Sequence, residues 1–161
     1  MADIKTKYGS SNQSITITLD SLADDGKRAS AAVDNSTDCF LDAIVQLKIN
    51  NTEGVPAGDA NLLVYAYGTA DGGTTYSGGA TGSDAAYGGV AGQVIENCPM
   101  LGIIHADADD EVFESHAMSV ARAFGGVLPD HWGIIIVNQL GVALSASGHS
   151  AFYQGIYAQS S

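Results

Sequence analysis

The sequence predicts an all-β domain, a sandwich or jelly roll of about eight strands. Three observations lead there. Apolar residues recur at every second position in several separate segments, the period of a half-buried strand. Clusters of Gly, Asn, Asp and Ser separate those segments, as turns require. No rhythm of strands alternating with amphipathic helices is present, which argues against a parallel α/β sheet.

Taken in order, residues 1–13 are polar, with Gly9, Ser10, Ser11, Asn12 and Gln13 in succession, and read as a flexible N-terminal arm. The single folded domain then spans 14–161. Ser14 to Leu19 alternates strictly, with Ile15, Ile17 and Leu19 on one side and Ser/Thr on the other, a half-buried strand of good β formers. After the Asp24-Asp25-Gly26 turn, Arg28 to Val33 reads as a short strand presenting Ala29, Ala31 and Val33. Cys39 to Ile49 is the clearest long strand, with Leu41, Ala43, Val45, Leu47 and Ile49 on one face. A loop over 50–54 follows. Leu62 to Gly68 is apolar at every position, so both faces of that strand are expected to be covered.

Residues 68–92 are rich in Gly, Ala, Ser, Thr and Tyr. They read as one long excursion or as two short strands with wide loops, and a loop that long is uncommon unless it functions. Met100 to Ala106 is a strand, and Asp107 to Glu111 an acidic turn. Glu111 to Phe124 carries two patterns at once. Val112, Phe113, His116, Ala117, Val120, Ala121 and Phe124 fit a helix face, with Gly125-Gly126 as its cap. Met118, Val120, Arg122 and Phe124 fit a strand face. Periodicity alone favours the helix, and the strand expectation comes only from the family resemblance carried by the C-terminal third. Trp132 to Val137 is a near-continuous apolar run of β-branched residues, the mark of a buried central strand. Leu140 to Leu144 is a second short apolar stretch. His149 to Tyr157 alternates, placing Ala151, Tyr153 and Tyr157 together.

Composition excludes several functional classes. The chain of 161 residues carries 18 acidic and 6 basic side chains, a net charge of −12. Five of the bases precede residue 49, and Arg122 alone faces the eleven later acids. A phosphate backbone needs a basic surface, so no nucleic-acid partner is expected, and an anionic membrane is disfavoured for the same reason. The opening residues lack the apolar stretch of a secretory signal, so synthesis in a cytoplasm is expected. Cys39 and Cys98 stand far apart outside any CxxC pair and are expected to be free thiols.

Catalytic and metal chemistry find little support. There is no GxSxG, no Gly-Lys-Ser/Thr phosphate loop and no GxGxxG after a strand. Ser147 and His149 fall on one face of a strand edge, which permits contact without diagnosing it. His105, Asp107, Asp109, Asp110, Glu111 and His116 form the densest ligand-type cluster, but without the spacing of a calcium loop. No catalytic residue, metal site or cofactor is therefore assigned, and the chain is not expected to be an enzyme.

The C-terminal third holds Val120-Ala121-Arg122-Ala123-Phe124-Gly125-Gly126-Val127-Leu128-Pro129, Trp132-Gly133-Ile134, Val137-Asn138 with Gly141, and Gly155-Ile156-Tyr157. With Ile15-Thr16-Ile17, Ala31 to Asn35 and Tyr65 to Gly68 upstream, it resembles a group of small virion structural proteins of tailed bacteriophages. The resemblance covers most of 14–158. It implies a β-sandwich of jelly-roll type with about eight strands, a place on the virion, and within it a capsid decoration (cement) role. The implied partners are the major capsid protein or neighbouring virion subunits, with self-association as a trimer or dimer. Ala117, Ser119, Ala121 and Ala123 are a small-residue face on which copies would pack.

Two regions are candidates for partner contact. In the arm, Lys5 and Lys7 supply charge, and Ile4 and Tyr8 apolar anchors. In the Gly-rich excursion, Tyr76 and Tyr87 offer rigid contact area beside adaptable backbone. The alternative function is a carbohydrate- or receptor-binding module of a phage tail or fibre. There Tyr65, Tyr67, Tyr76, Tyr87 and Trp132 would stack on sugar rings.

Overall fold

The computed structural model describes residues 3–51, 54–57 and 60–160. Met1 and Ala2 of the arm, and Thr52 and Glu53 of the 50–54 loop, lie outside the described residues. The chain folds into two antiparallel sheets packed face to face, a β-sandwich-like arrangement that agrees with the expected all-β class.

One sheet contains β1 (Ile4–Tyr8), β2 (Gln13–Ser14), β5 (Asp42–Asn51), β9 (Glu111–Glu114), β10 (Met118–Ser119) and β12 (Ser150–Ser160). Its order is β1-β12-β5-β10, with β2 also on β12 and β9 also on β5. The other contains β3 (Lys27–Ala29), β4 (Val33–Asp34), β6 (Asn61–Gly68), β7 (Ala85–Ala86), β8 (Met100–His105) and β11 (His131–Gln139). Its order is β7-β3-β11-β6-β8, with β4 also on β11.

The core forms where the alternating faces meet. Ala43, Val45, Leu47 and Ile49 of β5 are buried against Leu62, Val64 and Ala66 of β6 and Trp132, Ile134 and Ile136 of β11. Trp132 packs edge-on to Tyr153, ring centroids 5.3 Å apart. Non-directional burial of this kind stabilises by roughly 25 cal/mol per Å², so register follows from which face is apolar.

The expectation of a strand covered on both faces holds for β11 and in part for β6, whose Leu63 and Tyr65 stay half-buried, and the Gly-rich excursion supplies the second cover. Tyr67 and Ile135 point away from the main core into a separate cluster with Ala29, Ala80, Tyr87 and Cys98. Residues 68–99 are therefore a compact layer on the outer face of the sheet, built from two single turns of 3-10 helix and the two-residue β7. Tyr67 lies across Gly133, where an added Cβ would come within 2.3 Å of the ring, and its hydroxyl donates to the Ser30 carbonyl at 2.7 Å.

Several expected strands are corrected. Ile15 to Leu19 is not a ladder strand. Ile15 N–H bonds to the Ala151 carbonyl of one sheet, while the Thr16 carbonyl accepts from Ala31 beside the other. The segment crosses between sheets and still buries Ile15 and Leu19, because any extended chain alternates its side chains. The stretch 28–33 is broken into β3 and β4. Leu41 is exposed rather than core, since β5 begins only at Asp42. The short apolar stretch Leu140 to Leu144 is loop that buries its two leucines. Glu111 to Phe124 obeys both patterns in turn: strand at β9 and β10, then one helical turn, α1 (Val120–Ala123). Ser119 caps that turn, its Oγ accepting from Arg122 N–H at 3.2 Å. Asp42 braces it, accepting from Ala121 N–H at 2.8 Å. Gly125, at φ 76°, closes it with Gly126 N–H bonded to the Ala121 carbonyl, the Gly cap expected of a helix end.

Candidate contact ribbon and aromatic cleft

The arm at 1–13 is extended, but its described part is hydrogen-bonded rather than loose. β1 runs antiparallel to β12 from Ile4 opposite Ser160 to Tyr8 opposite Ile156. The pairing resumes at Gln13 opposite Tyr153. The register shifts by two residues in between, and Asn12 takes φ 56° at that bulge. On its other side β12 is paired by β5 only as far as Ile156 opposite Asp42. Residues 4–7 and 157–160 thus form a two-stranded ribbon that extends beyond the sandwich. All five side chains of β1 are exposed, with Ile4 at 78% and Tyr8 at 63%. An isolated ribbon is at best marginally stable in water, so its open edges are available for further pairing.

Strand alternation sorts its side chains. Lys5 and Lys7 lie opposite Gln159 and Tyr157 on one face, and Ile4, Thr6 and Tyr8 lie with Ser160, Ala158 and Ile156 on the other. At the root of the ribbon a cleft of about 590 Å³ is lined by Tyr8, Gly9, Ser10, Asp38, Phe40 and Tyr157. Phe40 and Tyr157 form its aromatic wall, centroids 6.1 Å apart. Phe40 lies flat on Gly155, where a Cβ would fall 2.4 Å from its ring, and touches Gly9. Asn35 holds Phe40 through two hydrogen bonds, donating to its carbonyl at 3.0 Å and accepting from its N–H at 2.8 Å. An aromatic wall beside a carboxylate and a hydroxyl suits a ligand or partner group with one apolar face.

The structure therefore gathers Ile4, Lys5, Lys7 and Tyr8 on one element. It does not bring Tyr76 and Tyr87 to them. Tyr87 is buried and donates to the Gly78 carbonyl, and burial raises its phenol pKa. Tyr76 packs edge-on to Tyr67, centroids 5.4 Å apart, with its pKa also raised by desolvation. Both serve the packing of the excursion. Trp132 and Tyr67 are likewise fully buried, so they have no face left for a sugar. Phe40, Tyr157 and Asp38 went unassigned in the sequence. The signal for them was Gly155 between Tyr153 and Tyr157, a missing side chain on an otherwise aromatic face.

The remaining sequence candidates have other roles. His149 accepts from Asn50 N–H through Nδ1 at 3.3 Å, and its Nε2 donates to the Ser145 carbonyl at 2.9 Å. Both ring nitrogens are thereby occupied by backbone. His105 Nε2 lies 3.7 Å from Asp107, and no group of three His, Cys, Asp or Glu converges among the described residues. Ala121 is buried and Ser119 donates to Asp42, whereas Ala117 is exposed and Ala123 half-buried, so only part of the small-residue face is open to a neighbouring copy. Cys39 is exposed and Cys98 buried, both free.

No protein-family model, curated protein or solved structure matches the chain. The functional reading rests on the geometry and on the resemblance alone.

Proposed function

We propose that the chain is a structural protein of a tailed-bacteriophage virion, a capsid decoration (cement) protein of jelly-roll type, made in the host cytoplasm and attached through the β1–β12 ribbon. On this reading it is not an enzyme and uses no cofactor. The strand order supports the jelly-roll assignment. Taking β1 with β2, β3 with β4 and β9 with β10 as single lines, and β7 as an added edge, leaves eight. The ladders then join first to eighth and third to sixth in one sheet, and second to seventh and fourth to fifth in the other. Those pairings are the ones expected of one long antiparallel hairpin rolled into two layers, which is what favours the jelly-roll reading.

The observation that carries the contact role is the ribbon itself. It extends past the core, exposes Ile4 and Tyr8, and places two of the six basic residues of an acidic chain on one face. Such an element contributes little to the stability of the body and suits strand-wise docking. The acidic remainder keeps unassembled copies soluble.

The test has two parts. Mass spectrometry of purified virions should find hundreds of copies per particle, on the order of a shell component, and a handful would move the protein to the tail or neck. Deleting residues 2–12 should leave a folded sandwich that binds undecorated capsids with lower occupancy and lower salt resistance. Equal occupancy would remove the ribbon as the anchor.

The aromatic cleft favours a second reading, a carbohydrate- or receptor-binding module, now through Tyr8, Phe40 and Tyr157 in place of the buried Tyr67, Tyr87 and Trp132. Glycan-array binding abolished by Tyr157→Ala would support it, and an array without signal would dismiss it.

A further inference from the structure

We infer that copies of this chain join head to tail by strand addition, the β1 edge of one copy pairing with the β9 edge of the next. The inference rests on the reading of the ribbon as the contact element, and it names the ribbon's partner. Both edges of this sheet leave backbone groups unused. Gly9 N–H donates to the Gly155 carbonyl, so in this antiparallel register Lys7 and Lys5 also point their backbone groups at β12. Ile4, Thr6 and Tyr8 point theirs outward, past the last strand of the sheet. At the opposite edge, Ser115 N–H donates to the Leu47 carbonyl. The same alternation turns Phe113 and Glu111 toward β5, and Val112 and Glu114 outward. One sheet therefore ends in two open edges, each with N–H and C=O groups at alternate residues.

The charges on those edges select the partner. β1 carries Lys5 and Lys7, and β9 carries Glu111 and Glu114. Two β1 edges paired antiparallel about Thr6 would set Lys5 opposite Lys7 of the other copy, and like charges directly opposite are destabilising. A β1–β9 pair has no such conflict. β9 starts only after Asp110, whose φ of 55° breaks the extended chain there, so its four residues are offered to four of the five in β1. Pairing Thr6 with Val112 then sets Lys7 opposite Glu111, with Lys5 diagonal to it. In that register Lys5, Lys7, Glu111 and Phe113 share one face, the face that continues the inner surface of the sheet. Glu114 is already opposite Lys48 of its own chain, which leaves Glu111 as the acid that faces the incoming lysines. A head-to-tail contact of this kind closes into a ring when the rotation permits, which accommodates the trimer expected on the virion reading.

The experiment uses the free protein without particles, so its failure is distinct from a failure to bind capsids. Sedimentation velocity of the wild type should show a concentration-dependent species at a multiple of 16.5 kDa, weakened by salt. Lys5→Glu/Lys7→Glu and, separately, Glu111→Lys should each weaken association about tenfold or more, a loss of about 1.4 kcal/mol. Mixing the two variants should recover association relative to either alone, because opposite charges meet wherever the copies alternate. That holds at every contact of an alternating chain or even-numbered ring and at two of the three contacts of a trimer. Thr6→Pro removes an outward N–H while leaving the β12 ladder intact, so it should abolish association in a protein with an unchanged far-ultraviolet spectrum. A wild type that stays monomeric at every concentration overturns the inference. So does an oligomer indifferent to all of these variants, or a mixture that stays as weak as its parts.

Discussion

Asp84 is the residue whose removal tests the packing of the excursion most directly. Its carboxylate accepts from Arg28 Nε at 2.6 Å, from Thr18 Oγ1 at 2.6 Å and from Thr18 N–H at 3.1 Å. It thereby ties together the segment that crosses between sheets, β3 and the Gly-rich layer. A hydrogen bond to a charged group contributes about 1.5–3 kcal/mol. Thr18 is exposed and regains water in the variant, and the Arg28 pair is 25% and 17% exposed, so the contributions do not simply add. Asp84→Ala should therefore cost about 3 kcal/mol, moving the urea midpoint by more than about 1 M for an ordinary denaturant dependence. Burial alone would raise the Asp84 pKa, but the Arg28 and Thr18 hydrogen bonds outweigh it and hold the carboxyl below its usual range. A carboxyl depressed in the folded state stabilises above its unfolded pKa, about 3.9. That contribution is lost as pH falls through the lower folded value. The gap between wild type and Asp84→Ala should thus be full at pH 7 and should narrow in acid below about pH 4. A gap below about 0.5 kcal/mol at pH 7, or one of equal size at pH 7 and in strong acid, would refute the role assigned to this carboxylate.

Other outcomes follow from the same packing. Gly133→Ala places a Cβ inside the Tyr67 ring envelope, and overpacking of this kind should lower stability by about 1–3 kcal/mol or more, read as a lower melting temperature. Gly155→Ala should displace Phe40 and open the aromatic cleft with a smaller stability loss, because Phe40 is only partly buried. An aromatic near-ultraviolet signal unchanged by it would argue against that arrangement. Thiol titration of the native protein should modify Cys39 but not Cys98, and unfolding without reductant should release both. Neither thiol reacting after unfolding would mean a bridge. The far-ultraviolet spectrum should be dominated by β structure, since the described α-helix is four residues long, and a helical spectrum would contradict the fold.

The all-β class and the central strands were legible in the sequence. Ala43-Val45-Leu47-Ile49 and Trp132-Gly-Ile-Ile-Ile-Val carry the period and β-branching that burial on one or both faces requires. The Gly cap after Ala123 was legible for an equally local reason. Ladder partners were not. Ile15 and Leu19 alternate as a strand would, and only their hydrogen bonds, one to each sheet, reveal a crossing. At 111–124 two periods overlap in one segment, and the Asp42 carboxylate, distant in sequence, chooses helix for Val120 to Ala123. The burial of Tyr67 and Tyr87 was not legible, because aromatic residues look alike in sequence whether they cover a sheet or face solvent. The second cluster that buries Tyr67 and Tyr87 forms only when residues 68–99 fold back on β11. The sequence by itself determined the alternation, the breaks and the placement of charge, which are properties of neighbouring residues. The tertiary structure alone decided which edges stay open, that Lys5 and Lys7 lie at one end of a sheet and Glu111 at the other, and that Phe40 finds its slot over Gly155. Those depend on contacts between residues far apart in the chain, and no local pattern encodes them.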